Sequence, residues 1–477
     1  MLLLAVGVAC AGCGSSGTAK KTPPGPSTLE ALHSISGTSV PILSVTHPAK
    51  GVARGYVFVA QKGGDKGTAG GPLIVDNQGR VRWYHQLTEP LQATDFRVQT
   101  YRGKPVLTWW QGHSNKAGVG QGEYEVFDTS YRKIASVKAV GDGLEGDLHE
   151  FQLTPRGTAY ITAYHEVPAD LRSVGGPKDG WIYDSVVQEI DVASGRLVFQ
   201  WHSLGHVPLA DSLEANHEPA QHATKKRPLD YFHVNSVADA PGGRILISAR
   251  NTSTIYELAR DGSIVWRLGG KHSDFGPPSA VRFFYQHNAR LHPGNLLTLF
   301  DNGAIPKSEP YTRPLELQLE PKTHRAKVVK VFAHPEKLLS PYEGNLQLLA
   351  DGGAFVGWGG IRRVTEFTGD GTVRFELKLP FGDTYRGYRS TWEGHPSNPP
   401  AVAVDGDTVY ASWNGSTDVA SWQVVAGSDP AHLKQIASAP WNGLETAIPV
   451  QTSAKLVAVR ALDRSGETIG TSAPVDR

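Results

Sequence analysis

The chain is poor in sulfur. Its 477 residues hold two cysteines, both within the first 13 positions, and a single methionine at position 1. The body beyond Cys13 therefore has no disulfide, no thiolate metal site and no cysteine nucleophile. Neither sign of charge is in excess: Lys+Arg number 47 against 46 Asp+Glu, a formal net charge of +1. That balance removes any general attraction to nucleic acid or an anionic membrane. A sustained 3.6-residue apolar period is also missing, which argues against long amphipathic helices. Turn formers, by contrast, are abundant, with 53 Gly and 32 Pro, above the usual share.

Residues 1–12, MLLLAVGVACAG, form a short apolar run ending in small residues. It is too short to span a bilayer as a helix and is expected to be a signal peptide. No Lys or Arg precedes it, as expected if the true start lies upstream. Cys13-Gly14-Ser15-Ser16-Gly17 follows, then Thr/Lys/Pro-rich sequence. Small residues before a Cys and a polar tether after it resemble a bacterial lipoprotein signal. In that reading Cys13 is lipidated, residues 13–50 form a tether, and the protein is exported and held at the outer face of the cell membrane. An ordinary cleaved signal peptide is the simpler alternative, and it too implies export.

From about Val52 to Pro380 one pattern recurs. A short alternating strand leads to a Gly-rich turn, a second strand, then a phrase built on an Asp/Gly turn flanked by Val, Ile, Phe or Trp. The phrases span 74–85, 126–137, 189–202, 257–268, 317–332 and 366–377. Such turns between β-branched and aromatic residues predict hairpins, and six copies about 40–60 residues apart predict a repeat architecture. The expected fold is all-β: a six-bladed β-propeller over 51–395, closed by the segment around Tyr388–Trp392 returning to the first blade. Short alternating runs after Pro399-Pro400 predict a small β-sandwich of immunoglobulin or fibronectin type over 396–477.

Three consecutive repeats place a His before a Pro/Gly turn and an apolar strand: LHEFQLTPRGTAYITAY, DYFHVNSVADAPGGRILISAR and FYQHNARLHPGNLLTLFDNG. His149, His233 and His287 are thus predicted to point toward one axis from adjacent blades. The next repeat carries Asn345 at the corresponding place. A single such His is usually a satisfied core or turn residue. Three at equivalent positions suggest either a metal site, since His-only sites suit Zn or Cu, or, with Asn235 and Arg250 beside them, a clamp for a tetrahedral oxyanion.

At these motifs the sequence resembles the bacterial arylsulfotransferases that do not use an activated nucleotide sulfate, over about residues 50–395. The resemblance implies a six-bladed propeller and no cofactor. It implies transfer of a sulfuryl group from a phenyl sulfate donor to an acceptor phenol, through a sulfurylated His. Matched motif by motif, His287 falls on the transient sulfo-acceptor, His149 on the channel His, His233 and Asn235 on the His-x-Asn pair, and Arg250 on the Arg that ends the same hairpin. Arg250, Asn235 and Asn345 are the expected sulfate-binding set, with either His149 or His233 as the acid and base. Longer periplasmic members generally carry a disulfide near the site. This chain cannot form one and looks closer to a shorter Gram-positive-type branch. A metal-dependent hydrolase or lyase, or a non-catalytic surface propeller, are the alternative functions.

Trp109, Trp110 and Trp358, with Trp392, are candidates for an aromatic mouth that stacks on a phenol, although propellers also bury Trp between blades. His113, His165 and His395 read as loop or blade contacts. DNQGR and FTGDGT lack a full calcium ligand ladder and read as hairpin turns. The run Ala223–Arg227, near His217 and His222, reads as a solvated loop.

Overall fold

The computed structural model describes residues 28–63, 70–213, 220–276 and 281–477. Cys13, the apolar run before it and His217 lie outside the described residues. Among the described residues every regular element of any length is a strand, and the helical pieces are three-residue 3₁₀ turns.

The strands form successive four-stranded antiparallel meanders, here numbered by their order along the chain. Meander I is Thr384–Ser390, Tyr56–Gln61, Gly71–Val75 and Val81–Tyr84. Meander II runs from Gln92–Tyr101 to Lys133–Val137, and III from Gly146–Leu153 to Leu197–His202. These two join into one eight-stranded sheet through the single pair Gly146 and Gly122. Meander IV runs from Val234–Ala240 to Ile264–Gly269, V from His287–His292 to Arg325–Val331, and VI from Asn345–Leu348 to Val373–Lys378. The fold class expected from the sequence, all-β with repeated four-stranded sheets, is what the structure has.

Each Asp/Gly phrase forms the hairpin between the third and fourth strands of one meander. The turn chemistry is visible in the first. The Oδ1 of Asp76 accepts from the backbone N–H of Gln78 at 2.9 Å and of Arg80 at 3.0 Å, an Asx-turn that stands in for a backbone turn. Asp128 does the same for Ser130 and Arg132. The first strand of meander I comes from the end of the repeat region: Tyr388 pairs with Phe58 and Gly387 with Val59. This pairing covers a sheet edge that would otherwise be exposed. The first strands touch in a closed order, II to III to IV to V to VI to I and back to II.

Five of those six first strands carry a register shift, at Thr94/Arg97, Gly146/Phe151, Val234/Ser236, His287/Arg290 and Thr384/Gly387. A bulge adds a residue to one strand and re-aims its side chains. Asp95 and Asn288 lie within these shifts and His233 just before one, and all three hold the left-handed backbone region, at φ of 54°, 54° and 58°, which non-glycine residues seldom adopt.

The tether expected to reach residue 50 does not extend that far. Leu29–Ala31 pairs with Ser39–Pro41, and Ser44–His47 adds a fifth strand to meander VI. Apolar burial explains it, because Leu32 and Val40 enter the core of meanders I and VI. The ring of His33 also stacks on Tyr410 at 3.7 Å. After residue 400 a three-stranded and a five-stranded sheet share a core that includes Val409, Trp422, Val424, Ile448, Val457 and Val459.

Candidate active site

His149, His233 and His287 come from the first strands of meanders III, IV and V, or the residue just before them, and all are buried. The bulges bring them together. The Nε2 atoms of His149 and His233 are 3.1 Å apart, with the rings nearly perpendicular at 84°. Tyr385 lies edge-on to both His149 and His287, at centroid distances of 5.6 and 6.4 Å. Tyr164 is 5.9 Å from both His149 and His233.

Each imidazole has its own partner at Nδ1. For His149 it is Asp147 Oδ2, at 2.5 Å. For His233 it is Asp230 Oδ2. For His287 it is Asn302 Oδ1, at 2.7 Å. The Asn302 amide is oriented by its own donors, since Nδ2 reaches the carbonyls of Glu343 at 2.9 Å and Ser340 at 3.3 Å. Its oxygen is thereby fixed toward His287. The Nδ1 of His287 must then carry the hydrogen, which leaves the lone pair on Nε2. Burial holds the His287 pKa well below the ordinary imidazole value, and the charges of Arg250, His149 and His233 press the same way against the Asn302 hydrogen bond. His287 is therefore held as a neutral ring with its lone pair on Nε2.

Arg250 meets the site at one side. Its backbone N–H donates to His233 O at 2.9 Å. Its guanidinium bonds Asn251 Oδ1 at 2.5 Å and lies 5.1 Å from the Tyr285 ring. Asn235 is fully buried, and its Nδ2 donates to Gln286 O, next to His287, at 2.7 Å. The Oδ1 atoms of Asn235 and Asp230 are buried with no partner among the described residues.

Two expectations need correction. Asn345 is not grouped with the histidines: its Nδ2 donates to Gly387 O and its Oδ1 accepts from Gly387 N–H, both at 2.9 Å. It clasps the closing strand, as Asn235 clasps the strand of His287. The aromatic mouth is absent too. Trp109, Trp110 and Trp358 are fully buried. Trp109 packs on Trp83, Phe96 and Phe127, Trp110 donates to Gly146 O at 2.9 Å, and Trp358 donates to Thr365 Oγ1 at 2.9 Å. Flat apolar faces between sheets bury more area there than at a rim. Trp358→Phe is expected to cost about 1 kcal/mol of stability, read from denaturant unfolding, and to leave KM for a phenyl sulfate within about twofold. Trp392 is likewise buried, donating to Tyr131 OH. His113 and His395 are exposed, and so is most of 223–227.

Sequence reading missed the residues around the histidines. The partners Asp147, Asp230 and Asn302 were legible in principle, as an Asp two or three places before a His and as the Asn of Phe-Asp-Asn-Gly. It also missed a buried ionic network along the same strands. Glu150 receives Arg97 Nη2 at 2.8 Å, Arg290 Nη2 at 2.7 Å and Arg386 Nη1 at 3.2 Å. Asp95 receives Arg386 at 3.0 Å. A cavity of about 680 Å³ lies along the C-terminal halves of the first strands, lined by Arg97, Gln152, Arg290 and Leu346 among others. Of its arginines, buried Arg97 and half-buried Arg290 are already committed to Glu150. Among the described residues, no group of three or more His, Cys, Asp or Glu is arranged to hold a metal ion.

Known proteins bear on this site. No curated protein matches the chain. Solved structures resemble it at a distance. A protein of unknown function from Bacteroides caccae is 12% identical at a TM-score of 0.43, covering 71% of this chain and 100% of that one. A virginiamycin B lyase from Staphylococcus aureus is 12% identical at 0.32, covering 78% and 95%. The calcium-binding protein regucalcin from Agrobacterium tumefaciens is 14% identical at 0.33, covering 65% and 79%. The sequence profile of one family, Arylsulfotransferase (ASST), matches residues 97–379. That span is more than half of the chain and contains the three histidines of the site with their partners, so the protein belongs to the arylsulfotransferase family of enzymes.

Proposed function

We propose that the protein is a nucleotide-independent aryl-sulfate sulfotransferase, working by a ping-pong mechanism through a sulfo-histidine at His287. One observation carries the assignment of the nucleophile. The Asn302 bond commits Nδ1 as a donor and leaves the Nε2 lone pair on a neutral, buried ring. In the first half-reaction Nε2 attacks sulfur, the S–N bond forms and the S–O bond to the phenol breaks. In the second, the acceptor phenol attacks the same sulfur and His287 is released. Charge grows on the sulfuryl oxygens and the leaving phenolate, as in phosphoryl transfer. Arg250 supplies the fixed positive charge beside them and His149 and His233 the proton.

The same reading extends to the whole chain. The meanders form a six-bladed propeller, with residues 51–395 as the catalytic body and 396–477 as a separate β-sandwich. The closed contact order of the first strands supports this. Export and lipid attachment at Cys13 are supported by the apolar run and the Gly-Cys-Gly-Ser sequence. The cysteine-free body supports a place in the shorter Gram-positive-type branch.

Phenolate release from 4-nitrophenyl sulfate, with and without an acceptor phenol, tests the function. Release that rises with acceptor, and a gain of one sulfuryl group on a His287 peptide after donor alone, are expected. Release that ignores the acceptor and yields free sulfate would point to a hydrolase instead.

A further inference from the structure

We propose that His149 and His233 act as a single acid–base unit, holding one proton between their Nε2 atoms, with Asp147 and Asp230 as the positioning residues that impose this arrangement. The proposal rests on the sulfuryl-transfer reading of the site and adds the group that handles its proton.

A carboxylate only accepts, so the Nδ1 of each ring, facing Asp147 or Asp230, carries a hydrogen. Asp147 is held as the anion. Burial pushes its pKa up, but the His149 charge and the hydrogen bonds from His149 and the Gly120 N–H pull it below the usual carboxylate value. It also accepts from Thr162 Oγ1 at 3.0 Å. With both Nδ1 atoms protonated, two neutral rings would turn two lone pairs at each other across 3.1 Å. One added proton turns that repulsion into an N–H···N hydrogen bond. Burial lowers the His149 pKa against the pull of Asp147, and the hydrogen bond across the two Nε2 atoms is what keeps one proton on the proposed resting unit, an imidazole–imidazolium pair between two carboxylates.

Among the described residues, no other group facing the pair takes over this contact. The Tyr164 hydroxyl, from the second strand of meander III, donates to Val234 O at 2.8 Å. The Tyr385 hydroxyl, from the closing strand, donates to Asn235 O at 3.4 Å. Burial raises both phenols well above their ordinary value, so they stay neutral. His287 is neutral, with the Arg250 charge acting on it, and Arg386 lies behind Tyr385, bonded to Asn235 O at 2.9 Å.

The proton then balances both half-reactions. As the His287 Nε2–S bond forms and the aryl O–S bond breaks, the shared proton passes to the departing phenolate oxygen. The pair is left with two bare Nε2 atoms. In the return step one of them takes the proton of the acceptor phenol while its oxygen attacks sulfur and the S–N bond breaks. Neither ring is the acid alone, because the two titrate as one system. The mono-protonated pair drives donor cleavage, so kcat/KM for the donor falls as pH rises through the pair's pKa. The bare pair drives acceptor attack, so kcat/KM for the acceptor falls as pH drops through the pKa of the sulfurylated enzyme.

Two measurements test this on the full chain. The first uses ¹⁵N-histidine spectra of the free protein near neutral pH, with His149→Gln and His233→Gln for assignment. Both Nδ1 atoms should be protonated, and the two Nε2 signals should share one proton and shift together on titration. Two fully unprotonated Nε2 atoms between about pH 5 and 8 would overturn the proposal, whatever the enzyme's activity. The second uses Asp230→Asn, which keeps the shape and removes the charge. Its donor pH limb should move to lower pH. Its rate should fall by roughly 10²–10³ on phenyl sulfate, whose leaving group needs the proton, and by less than about tenfold on 4-nitrophenyl sulfate. Equal losses on both donors with an unmoved limb would also overturn it. Activity retained in His287→Ala would instead sink the nucleophile assignment and leave the spectroscopic result to decide the shared proton.

Discussion

Replacing His287 by alanine is expected to lower kcat for sulfuryl transfer by about 10⁴- to 10⁶-fold, the range for removing a covalent nucleophile. On the proposed ping-pong reading His287 is the entry, because among the described residues no second ring of the site has its Nε2 free of a partner. His149 and His233 are turned toward each other. Fold loss is not expected to confuse the result. His287 sits at the start of its strand, and its side-chain bond is to Asn302, which keeps its ties to Ser340 and Glu343. The check is a stopped-flow burst with 4-nitrophenyl sulfate and no acceptor. Wild type should release one equivalent and carry the sulfuryl group on His287, and the variant neither. Asn302→Leu is the companion. It frees the ring to flip and to take the other tautomer, so it should cost roughly 10²-fold or more in kcat with little change in KM. A variant at His287 that still bursts would mean that another atom attacks.

The depressed His287 pKa gives this reaction a direction in pH. A ring whose pKa lies below the ordinary 6.5 stays neutral further into acid. Donor kcat/KM should therefore hold as pH falls through 6.5, where an exposed histidine nucleophile would already be lost to protonation. A loss of half the rate at that pH would show a ring that titrates as if exposed.

The architecture was legible because it is written in short-range chemistry. An Asp whose carboxylate caps its own turn, as Asp76 does, announces a hairpin wherever it falls between β-branched residues. Five of the six phrases turn on such an Asp, Glu320 standing in the 317–332 phrase; their spacing fixed the repeat, and the repeat fixed which histidines are equivalent. Bulges are not announced in that way. They decide that His149 meets His233 ring to ring while Asn345, on the one first strand without a register shift, stays in line and clasps Gly387. The tryptophans misled for a related reason. A Trp in an alternating strand reads the same whether its face meets a phenol or a neighbouring sheet, and only packing chooses. Leu32 and Val40 likewise look like tether residues until meanders I and VI offer them a surface.

The buried ions were hidden for the opposite reason, since a charged residue in a strand run reads as a solvent-facing position. Glu150→Gln is expected to destabilise the protein by about 3–5 kcal/mol, the cost of leaving buried charges unpaired. Glu150 is fully buried and is the common acceptor of Arg97, Arg290 and Arg386, which arrive from meanders II, V and I. Its Oε2 also accepts the Val237 N–H of meander IV at 3.2 Å. One carboxylate thus ties five first strands together. Its loss leaves Arg97 and Arg386 with Asp95 as their carboxylate partner and takes from Arg290 the carboxylate it pairs with. Burial pushes the Glu150 pKa up, but Arg290, Arg386 and Arg97 outweigh it and bring it from 4.5 to about 2. A depressed acid stabilises the fold above its unfolded value and loses that contribution as pH falls through the folded one. The deficit of Glu150→Gln should therefore be full at neutral pH and shrink between about pH 4.5 and 2. Urea unfolding across that range measures it. Adding Arg290→Met should recover part of the loss, giving a double variant less damaged than the sum of the singles. A Glu150→Gln cost under about 1 kcal/mol at neutral pH would mean that the network breaks even against its own desolvation. The closure of the first strands would then rest on their backbone ladders and on the Asn235 and Asn345 clasps.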